Sequence, residues 1–513
     1  MQSAGIQEQF GWFRSIFWPI RRDEQRMIIP MFLMIFLICL NYSILRNMKD
    51  ALVVTASAGA EVIPFIKVWA MLPIAVLLTL TFTKLCNRFS QEQVFYIILS
   101  GFLLFYAFFL FFLYPYRDSL HPNDLAERLS TLLPPGFRGL IAMFQNWTFT
   151  SFYVMCELWS VMVLSVLFWG FANEITRVGD ARRFYAVLNI GSNFGAIFAG
   201  QLPRFFFRET QEESLFVLLC VVFVSGIGTM LIFRWMNRKV LNHSNFDGLH
   251  QARVEQKLKY KLSIWECFSY VAKSKYLLCI AAMVVGYNFV IHIVEVVWKD
   301  ELRRLHPGFS DYNAYLGDLT TTIGLSSMCL AILIPSLISR FGWAKTALIT
   351  PISMFITGIT FFAILFYQRT FGDSSVFLFG ISPLVLLVLI GAIQNTASKA
   401  CKYSFFDATK EMAFIPLDHD YKLKGKAAID GVGSRLGKSG GSVLFQGLLV
   451  LFGSLSASVP YIAAFLFLTI LVWILATRSL GKQFNERVGS SAGESVEGKS
   501  LPEPDIERAT SSA

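Results

Sequence analysis

Long apolar stretches, separated by short polar or charged clusters, make up most of this chain. A helix that crosses a membrane needs about 20 predominantly apolar residues, and stretches of this kind recur along the whole sequence. The predicted spans are residues 27–46, 62–84, 94–114, 148–172, 184–206, 214–236, 275–298, 313–339, 344–367, 376–398, 427–453 and 459–477. We therefore expect an all-α membrane protein with about twelve transmembrane helices.

The composition agrees with this class. The 513 residues are 55% hydrophobic and only 16% charged, which is too apolar for an ordinary soluble domain. The eight cysteines are scattered and lie mostly in apolar stretches, so we expect neither a disulfide framework nor a metal site. No cofactor is expected either.

The basic residues predict how the chain is oriented. Arginines precede the first span, and the middle loop is rich in lysine and arginine, whereas the loop after Gly453 has no charge. Because basic loops stay in the cytoplasm, both termini and the middle loop are predicted to be cytoplasmic. The basic middle loop is expected to contact the lipid bilayer and not nucleic acid.

The middle loop divides the spans six and six. The predicted parts are a cytoplasmic N-terminal segment at 1–26, six-helix halves at 27–236 and 263–480, a basic cytoplasmic linker at 237–262 and a disordered cytoplasmic tail at 481–513. The tail prediction rests on its Ser, Gly, Glu and Pro content. Neither a cleavable signal peptide nor a transit peptide is recognised, so we expect insertion into a bacterial inner membrane.

Two short segments repeat each other across the halves. Residues 191–196, GSNFGA, match residues 433–438, GSRLGK, and the two segments belong to the fifth and eleventh predicted spans. Matched segments at the same place in two six-helix halves predict parallel repeats related by an axis along the membrane normal. This is the arrangement of the major facilitator transporters, whose substrate site lies between the halves. We expect a major-facilitator-like fold with two pseudo-twofold halves.

The two matched helices each have a small-residue face and a polar face, at about 100° of rotation per residue. The small residues, which let another helix pack closely, are Gly191, Gly195 and Ala199 in the fifth helix and Gly433, Gly437 and Gly441 in the eleventh. The polar residues on the opposite faces are Asn189 and Asn193 in the fifth helix and Arg435, Lys438, Ser442 and Gln446 in the eleventh. We expect one face to pack and the other to be functional.

Charged residues inside the predicted spans are the candidate site residues. They are Lys49, Glu157, Glu295, Arg435 and Lys438. A charge at bilayer depth costs about 3 kcal/mol or more, so it usually lines a cavity and meets a partner. The like charges of Arg435 and Lys438 share one face and repel each other unless an anion binds them. This pattern indicates a transport pathway for a charged solute.

Some polar residues have simpler explanations. Lys49 stands next to Asp50 and could merely end the first helix. Lys399 and Lys402 are expected at the cytoplasmic end of the tenth helix, where lysine side chains can reach the surface. His292 is expected to be a hydrogen-bonded helix residue and not a proton relay. The Gly-Lys-Ser at 437–439 lacks the glycine and the preceding strand of a phosphate-binding loop, so we do not expect an ATPase.

Four regions resemble the nucleotide transporter family of ATP/ADP translocases, which is found in plastids and in obligate intracellular bacteria such as chlamydiae and rickettsiae. They are 41–50 (NYSILRNMKD), 157–159 (ELW) with 168–176 (FWGFANEIT), 295–299 (EVVWK) and 402–417 (KYSFFDATKEMAFIPL). The resemblance runs from about residue 20 to residue 480. The missing transit peptide departs from the plastid members and favours a bacterial one.

The resemblance implies exchange of external ATP for internal ADP without hydrolysis. The charged membrane residues of the family correspond by motif to Lys49, Glu157, Glu295 and Lys438 of this sequence. Lys438, Arg435 and Lys49 would neutralise the phosphates. The two glutamates would hold those cations in the empty site or contact the amino group of the base.

The two asparagines Asn189 and Asn193 complete the predicted substrate-binding residues, as candidates for hydrogen bonds to the base or ribose. ATP and ADP are the expected substrates, and a role for phosphate as a further substrate stays open. We expect the carrier to act as a monomer.

Three alternatives stay open at this point. The first is a proton-coupled importer of nucleoside triphosphates, and the second is a major facilitator transporter of another organic phosphate. The third is a membrane-embedded enzyme, although the sequence has no Ser/His/Asp pattern and no metal-ligand spacing.

Overall fold

The computed structural model describes residues 18–56, 59–176, 178–207, 210–240, 269, 271–372, 380–417, 425–426, 429 and 434–497. The side chains of Arg435 and Lys438 lie outside this description, although both residues belong to a described helix. Gly433, most of the predicted linker and residues 498–513 of the predicted tail also lie outside it.

The described residues are almost entirely helical. The twelve long helices are α1 Gln25–Val54, α2 Gly59–Arg88, α3 Gln91–Leu113, α4 Trp147–Ile175, α5 Val178–Phe205, α6 Gln211–Lys239, α7 Lys275–Leu305, α8 and α9 (the parts of Phe309–Phe371 before and after Gly342), α10 Pro383–Ala413, α11 Ser434–Phe452 and α12 Leu455–Glu497. Nine helices of the described residues are long and apolar enough to cross a membrane. The other three are α5, α8 and α11, and the part of α11 from Ser439 to Phe452 is apolar but shorter than the nine. The predicted all-α membrane class is confirmed.

Local sequence explains several helix ends. The hydroxyl of Ser90 accepts a hydrogen bond from the backbone of Gln93, whose side chain accepts one from the backbone of Ser90, and this capping box starts α3. Gly342 separates α8 from α9 with φ of 77°, a conformation that glycine adopts without strain. Pro383 is the first residue of α10, where its missing N–H costs no helical hydrogen bond.

Several helices run past their predicted ends, and α1, α10 and α12 do so by the largest number of residues. α1 continues from residue 46 to Val54 and α10 continues from residue 398 to Ala413, because the charges near these positions are paired inside the protein and do not stop the helix. α12 continues to Glu497 beyond the predicted boundary at 480, and the Phe484 ring stacks on Trp343 at 4.9 Å between centroids. Residues 481–497 of the predicted disordered tail are therefore helical.

The segment between α3 and α4, where the sequence predicts no membrane span, forms three short helices. They are Arg117–Leu120, Asn123–Leu132 and Arg138–Gln145. Gly136, just before the third of these helices, lies against the backbone of Leu449 in α11. This segment of the N-terminal half therefore contacts the C-terminal half at one end of the bundle.

In each half, a glycine of the matched segment lies close against a neighbouring helix. A Cβ atom on Gly195 of α5 would lie 2.5 Å from the carbonyl oxygen of Phe36 in α1. A Cβ atom on Gly437 of α11 would lie 2.9 Å from the Cβ atom of Asn288 in α7. Ala199 is fully buried. The predicted small-residue ridges therefore do pack closely, α5 against α1 and α11 against α7.

The halves meet along two further helix pairs. Gly200 of α5 and Gly317 of α8 are in backbone contact, each next to the carbonyl group of the other. The side-chain amide of Gln446 in α11 donates to the carbonyl oxygen of Pro64 in α2 at 2.8 Å, and its oxygen accepts from the Trp69 indole at 3.1 Å. Charged side chains of α1, α2, α4, α7 and α10 also make contacts within and between the halves.

Candidate functional site

A series of ion pairs crosses the interface between the two halves. We call it the ion-pair network, and its members in order of contact are Glu157, Lys49, Asp50, Lys299, Glu295 and Lys399. Glu157 comes from α4, Lys49 and Asp50 from α1, Glu295 and Lys299 from α7, and Lys399 from α10. Acidic and basic side chains alternate along the network, so every charge in it lies next to an opposite charge.

The first part of the network belongs to the N-terminal half. The Nζ atom of Lys49 lies 3.0 Å from Oε1 of Glu157 and 2.8 Å from Oδ1 of Asp50. The same ammonium group lies 3.8 Å from the centre of the Tyr153 ring, which adds a cation–π contact. Only 2% of the Lys49 side chain is exposed. Lys49 therefore does not end α1, which was the simpler explanation for it.

The second part of the network joins the halves. The Nζ atom of Lys299 lies 2.8 Å from Oδ2 of Asp50 and 3.4 Å from Oε1 of Glu295, one helical turn away on α7. The Nζ atom of Lys399 lies 3.1 Å from that same glutamate oxygen. Buried charges are stable only when they are paired, and here one carboxylate of each half is shared between two lysines.

Two further cations, Arg46 and Lys67, flank the network. The Nζ atom of Lys67 in α2 lies 3.0 Å from Nδ1 of His292, whose Nε2 atom lies 2.8 Å from the Ser442 hydroxyl. The guanidinium carbon of Arg46 lies 6.0 Å from the centre of the Tyr42 ring. Both cations interact electrostatically with Glu295. The site therefore brings five cations and three carboxylates of the described residues together.

Three of the predicted site residues lie in this site, namely Lys49, Glu157 and Glu295. Lys399 lies there too, so the prediction that it reaches the surface was wrong. Its side chain is only 11% exposed and is paired with Glu295. Because α10 continues to Ala413, Lys399 lies in the middle of this helix and not at its end. Lys402, by contrast, is 30% exposed and lies 3.5 Å from Asp407.

The other predicted residues lie apart from the network or outside the described side chains. Asn189 is exposed on α5, and the Asn193 amide donates to the Asn189 carbonyl oxygen at 3.0 Å. Arg435 and Lys438 lie on α11, but their side chains are not described. Ser442, on the predicted polar face of the same helix, does reach the site through His292. His292 is hydrogen-bonded, as predicted.

Besides Lys399, four charged residues of the site were not among the predicted site residues. They are Arg46, Asp50, Lys67 and Lys299. Each lies within or next to an apolar stretch, so a survey of every charge near the predicted spans would have included them. Their importance comes from partners that are remote in sequence, and no local pattern shows those partners.

Comparison with known proteins agrees with this description. The sequence model of the TLC ATP/ADP transporter family matches residues 3–484. ADP,ATP carrier protein 1 of Chlamydia pneumoniae is 42% identical over 490 residues, covering 93% of this chain and 95% of the relative. ADP,ATP carrier protein 1 of Rickettsia bellii is 39% identical over 486 residues, covering 93% and 97%. The chloroplastic ADP,ATP carrier protein 1 of Arabidopsis thaliana is 40% identical, covering 89% and 74%.

Solved transporter structures share the fold. A bacterial homologue of the iron transporter ferroportin in an inward-facing state has a TM-score of 0.52 at 14% identity, covering 89% of this chain and 98% of that protein. The inward-open xylose transporter XylE from E. coli also has a TM-score of 0.52, at 12% identity, covering 88% and 94%. The expected major-facilitator-like fold is confirmed. The protein is thus a multi-pass membrane transporter and not an enzyme, and it belongs to the TLC ATP/ADP transporter family.

Proposed function

We propose that this protein takes up external ATP in exchange for internal ADP across a bacterial inner membrane, with both termini in the cytoplasm. The family match and the ADP,ATP carriers of Chlamydia and Rickettsia support this proposal. The observation that carries it is the charged site between the halves, because five cations and three carboxylates leave an excess of positive charge where a substrate must pass. A polyphosphate is an anion that such a site attracts.

The exchange would proceed by alternating access, in which the halves rock around the site. The ion pair between Asp50 of α1 and Lys299 of α7 bridges the halves, so rocking must strain or break it. Breaking a buried ion pair is costly unless another charge takes the place of the lost partner. A nucleotide phosphate supplies that charge next to the lysines, which favours movement of the loaded carrier over movement of the empty one. Such a preference is the property that an exchanger requires.

The predicted substrate residues keep their roles in this proposal. Lys49, Arg435 and Lys438 would neutralise phosphates, and Glu157 and Glu295 would hold lysines in the empty site. The contacts of Lys49 with Glu157 and of Lys399 with Glu295 support the holding role of the two glutamates. Asn189 and Asn193 would contact the base or ribose, and the exposure of Asn189 on α5 is compatible with that role. The carrier would act as a monomer.

Transport into proteoliposomes tests this function. Labelled ATP is added outside vesicles that contain ADP, phosphate or buffer alone, or that carry only a pH gradient. We expect uptake with internal ADP and little uptake into empty vesicles. Uptake that depends on the pH gradient would instead select the proton-coupled importer. Uptake with internal phosphate would make phosphate a further substrate.

Two variants test the predicted phosphate contacts in the same vesicles. Lys49→Gln and Lys438→Gln should each slow exchange, whereas Lys84→Gln, which removes an exposed lysine from α2, should not. Exchange at the parent rate in both site variants, with the proteins shown to be folded, would contradict the electrostatic part of the proposal.

A further inference from the structure

The ion-pair network has no net charge of its own. Its three carboxylates, Asp50, Glu157 and Glu295, are matched by the three lysines Lys49, Lys299 and Lys399. The excess positive charge of the site therefore comes from the two flanking cations, Arg46 and Lys67. Among the described residues, neither cation has a carboxylate oxygen within 4.0 Å, the limit for an ion pair.

The flanking cations are also more accessible than the centre of the network. Only 2% of the Lys49 side chain and 5% of the Lys299 side chain are exposed. Arg46 and Lys67 are both partly exposed. An incoming anion therefore meets Arg46 and Lys67 without displacing a carboxylate, whereas Lys49 must first leave Asp50 or Glu157.

The hydrogen bonds of Lys67 show how its ammonium group is held without an acidic partner. An ammonium group only donates, so Nδ1 of His292 accepts from Lys67, and Nε2 then carries the proton that faces the Ser442 hydroxyl. The imidazole is therefore neutral in this arrangement. A neutral acceptor is a weaker partner for an ammonium group than a phosphate oxygen is. Lys67 also lies in the π-helical turn Ile66–Met71, a feature that is frequent at functional sites.

Arg46, the second flanking cation, has chemistry that complements that of Lys67. Its guanidinium group presents several donors in a planar fork that suits phosphate oxygens. It lies one helical turn before Lys49 on α1 and interacts electrostatically with Glu295.

We propose that Arg46 and Lys67 are the first residues to bind the phosphates of the transported nucleotide in this conformation, while the ion-pair network holds the two halves together. This assignment rests on the proposed function, since it takes the nucleotide as the substrate. The network lysines then become available to the phosphates only when the halves move.

Ligand-induced stabilisation of the purified full-length protein tests this assignment, because a bound ligand raises the melting temperature by an amount that grows with the logarithm of its concentration divided by its Kd. The probes are ATP, ADP, adenosine and inorganic phosphate. The variants are Arg46→Gln and Lys67→Gln, and the matched controls are Arg26→Gln on α1 and Lys84→Gln on α2, which remove exposed charges from the same helices.

Each site variant should weaken ATP binding by about tenfold to a hundredfold, the usual loss for one hydrogen bond between charged groups. ADP binding should weaken as well, and the controls should bind both nucleotides as the parent does. Without nucleotide, both site variants should melt at the parent temperature, because neither residue forms an ion pair with a described carboxylate. Arg46→Lys should recover part of the affinity.

The assignment is overturned if both glutamine variants bind ATP like the parent while Lys49→Gln does not, since the network itself would then be the first binding site. It is also overturned if the glutamine variants melt at a lower temperature without nucleotide, which would make them structural residues. In both cases ATP/ADP exchange by the parent would still stand. A parent that responds to phosphate but to no nucleotide would instead overturn the proposed function, and this assignment with it.

Discussion

The Nζ atom of Lys299 in α7 lies 2.8 Å from Oδ2 of Asp50 in α1, and this contact joins the two halves of the carrier. The other oxygen of the same carboxylate lies 2.8 Å from Lys49. Asp50 therefore holds one lysine from each half, and all three side chains are at most 5% exposed. The ion-pair network therefore passes from one half to the other through this carboxylate.

Asp50→Asn is expected to destabilise the carrier strongly, because two buried lysines would lose a charged partner at once. Removing one member of a buried ion pair costs about 3–5 kcal/mol. The melting temperature of the purified variant measures this effect, and Asp23→Asn, which changes an exposed aspartate before α1, is the control. A variant that melts with the parent would show that Asp50 does not hold the halves together.

Lys399→Gln and Lys402→Gln should differ although they lie close together on α10. Lys399 is 11% exposed and pairs with Glu295 at 3.1 Å, whereas Lys402 is 30% exposed and lies 3.5 Å from Asp407. Partly exposed pairs contribute about 0–1 kcal/mol, so Lys402→Gln should exchange nucleotide almost as the parent does. Lys399→Gln should exchange more slowly, since Glu295 keeps only Lys299 as a described ion-pair partner.

The comparison of initial exchange rates in proteoliposomes, at equal amounts of inserted protein, checks this difference. Equal rates for the two variants would mean that Lys399 reaches the surface after all, as its sequence position alone suggests.

Gly317→Ala is expected to impair exchange because it disturbs the contact between α5 and α8. A Cβ atom on Gly317 would overlap the carbonyl group of Gly200, and backbone there cannot easily move. Where a Cβ atom meets no obstacle, alanine in the middle of a helix makes the fold more stable than glycine does, by about 0.5–1 kcal/mol. The matched control is Gly447→Ala on α11, where a Cβ atom meets nothing within 4 Å.

Melting temperature and exchange rate together check the Gly317 prediction. The control variant should have the parent's melting temperature or a slightly higher one, and it should exchange at the parent rate. Gly317→Ala should lower both the melting temperature and the exchange rate. If the two alanine variants behave alike, the close approach of α5 and α8 is not needed in the transport cycle.

His121, in the segment between α3 and α4, should make the stability of the protein depend on pH. Its Nε2 atom lies 2.7 Å from the Thr148 hydroxyl, and burial lowers the pKa of the imidazole below its usual value of 6.5. As the pH falls through 6.5, the unfolded chain binds a proton that the folded protein resists, so the stabilising contribution of the neutral imidazole is lost.

The melting temperature of the parent, minus that of His121→Asn, should therefore shrink as the pH is lowered from about 7.5 to about 5.5. A difference that stays constant over this range would show that the neutral imidazole is not favoured by the fold.

Much of the architecture follows from local sequence. Long apolar stretches indicate membrane helices because an unpaired backbone is too costly in lipid, and the described helices lie where the sequence predicts them. The spacing of Gly191 and Gly195 predicts a packing ridge, since residues four apart share a helix face, and these glycines do lie against α1. The ends of α1 and α10 were predicted too early, because a charge was expected to stop each helix.

The sequence by itself determined the membrane class, the repeated helix faces and the isolated charges Lys49, Glu157 and Glu295 as candidates. Only the tertiary structure decided the partners of these charges. The lysine that pairs with Asp50 across the interface is 249 residues away, and Lys67 lies 225 residues from His292. An electrostatic contact depends on distance in space, and that distance exists only after the helices of both halves have packed together.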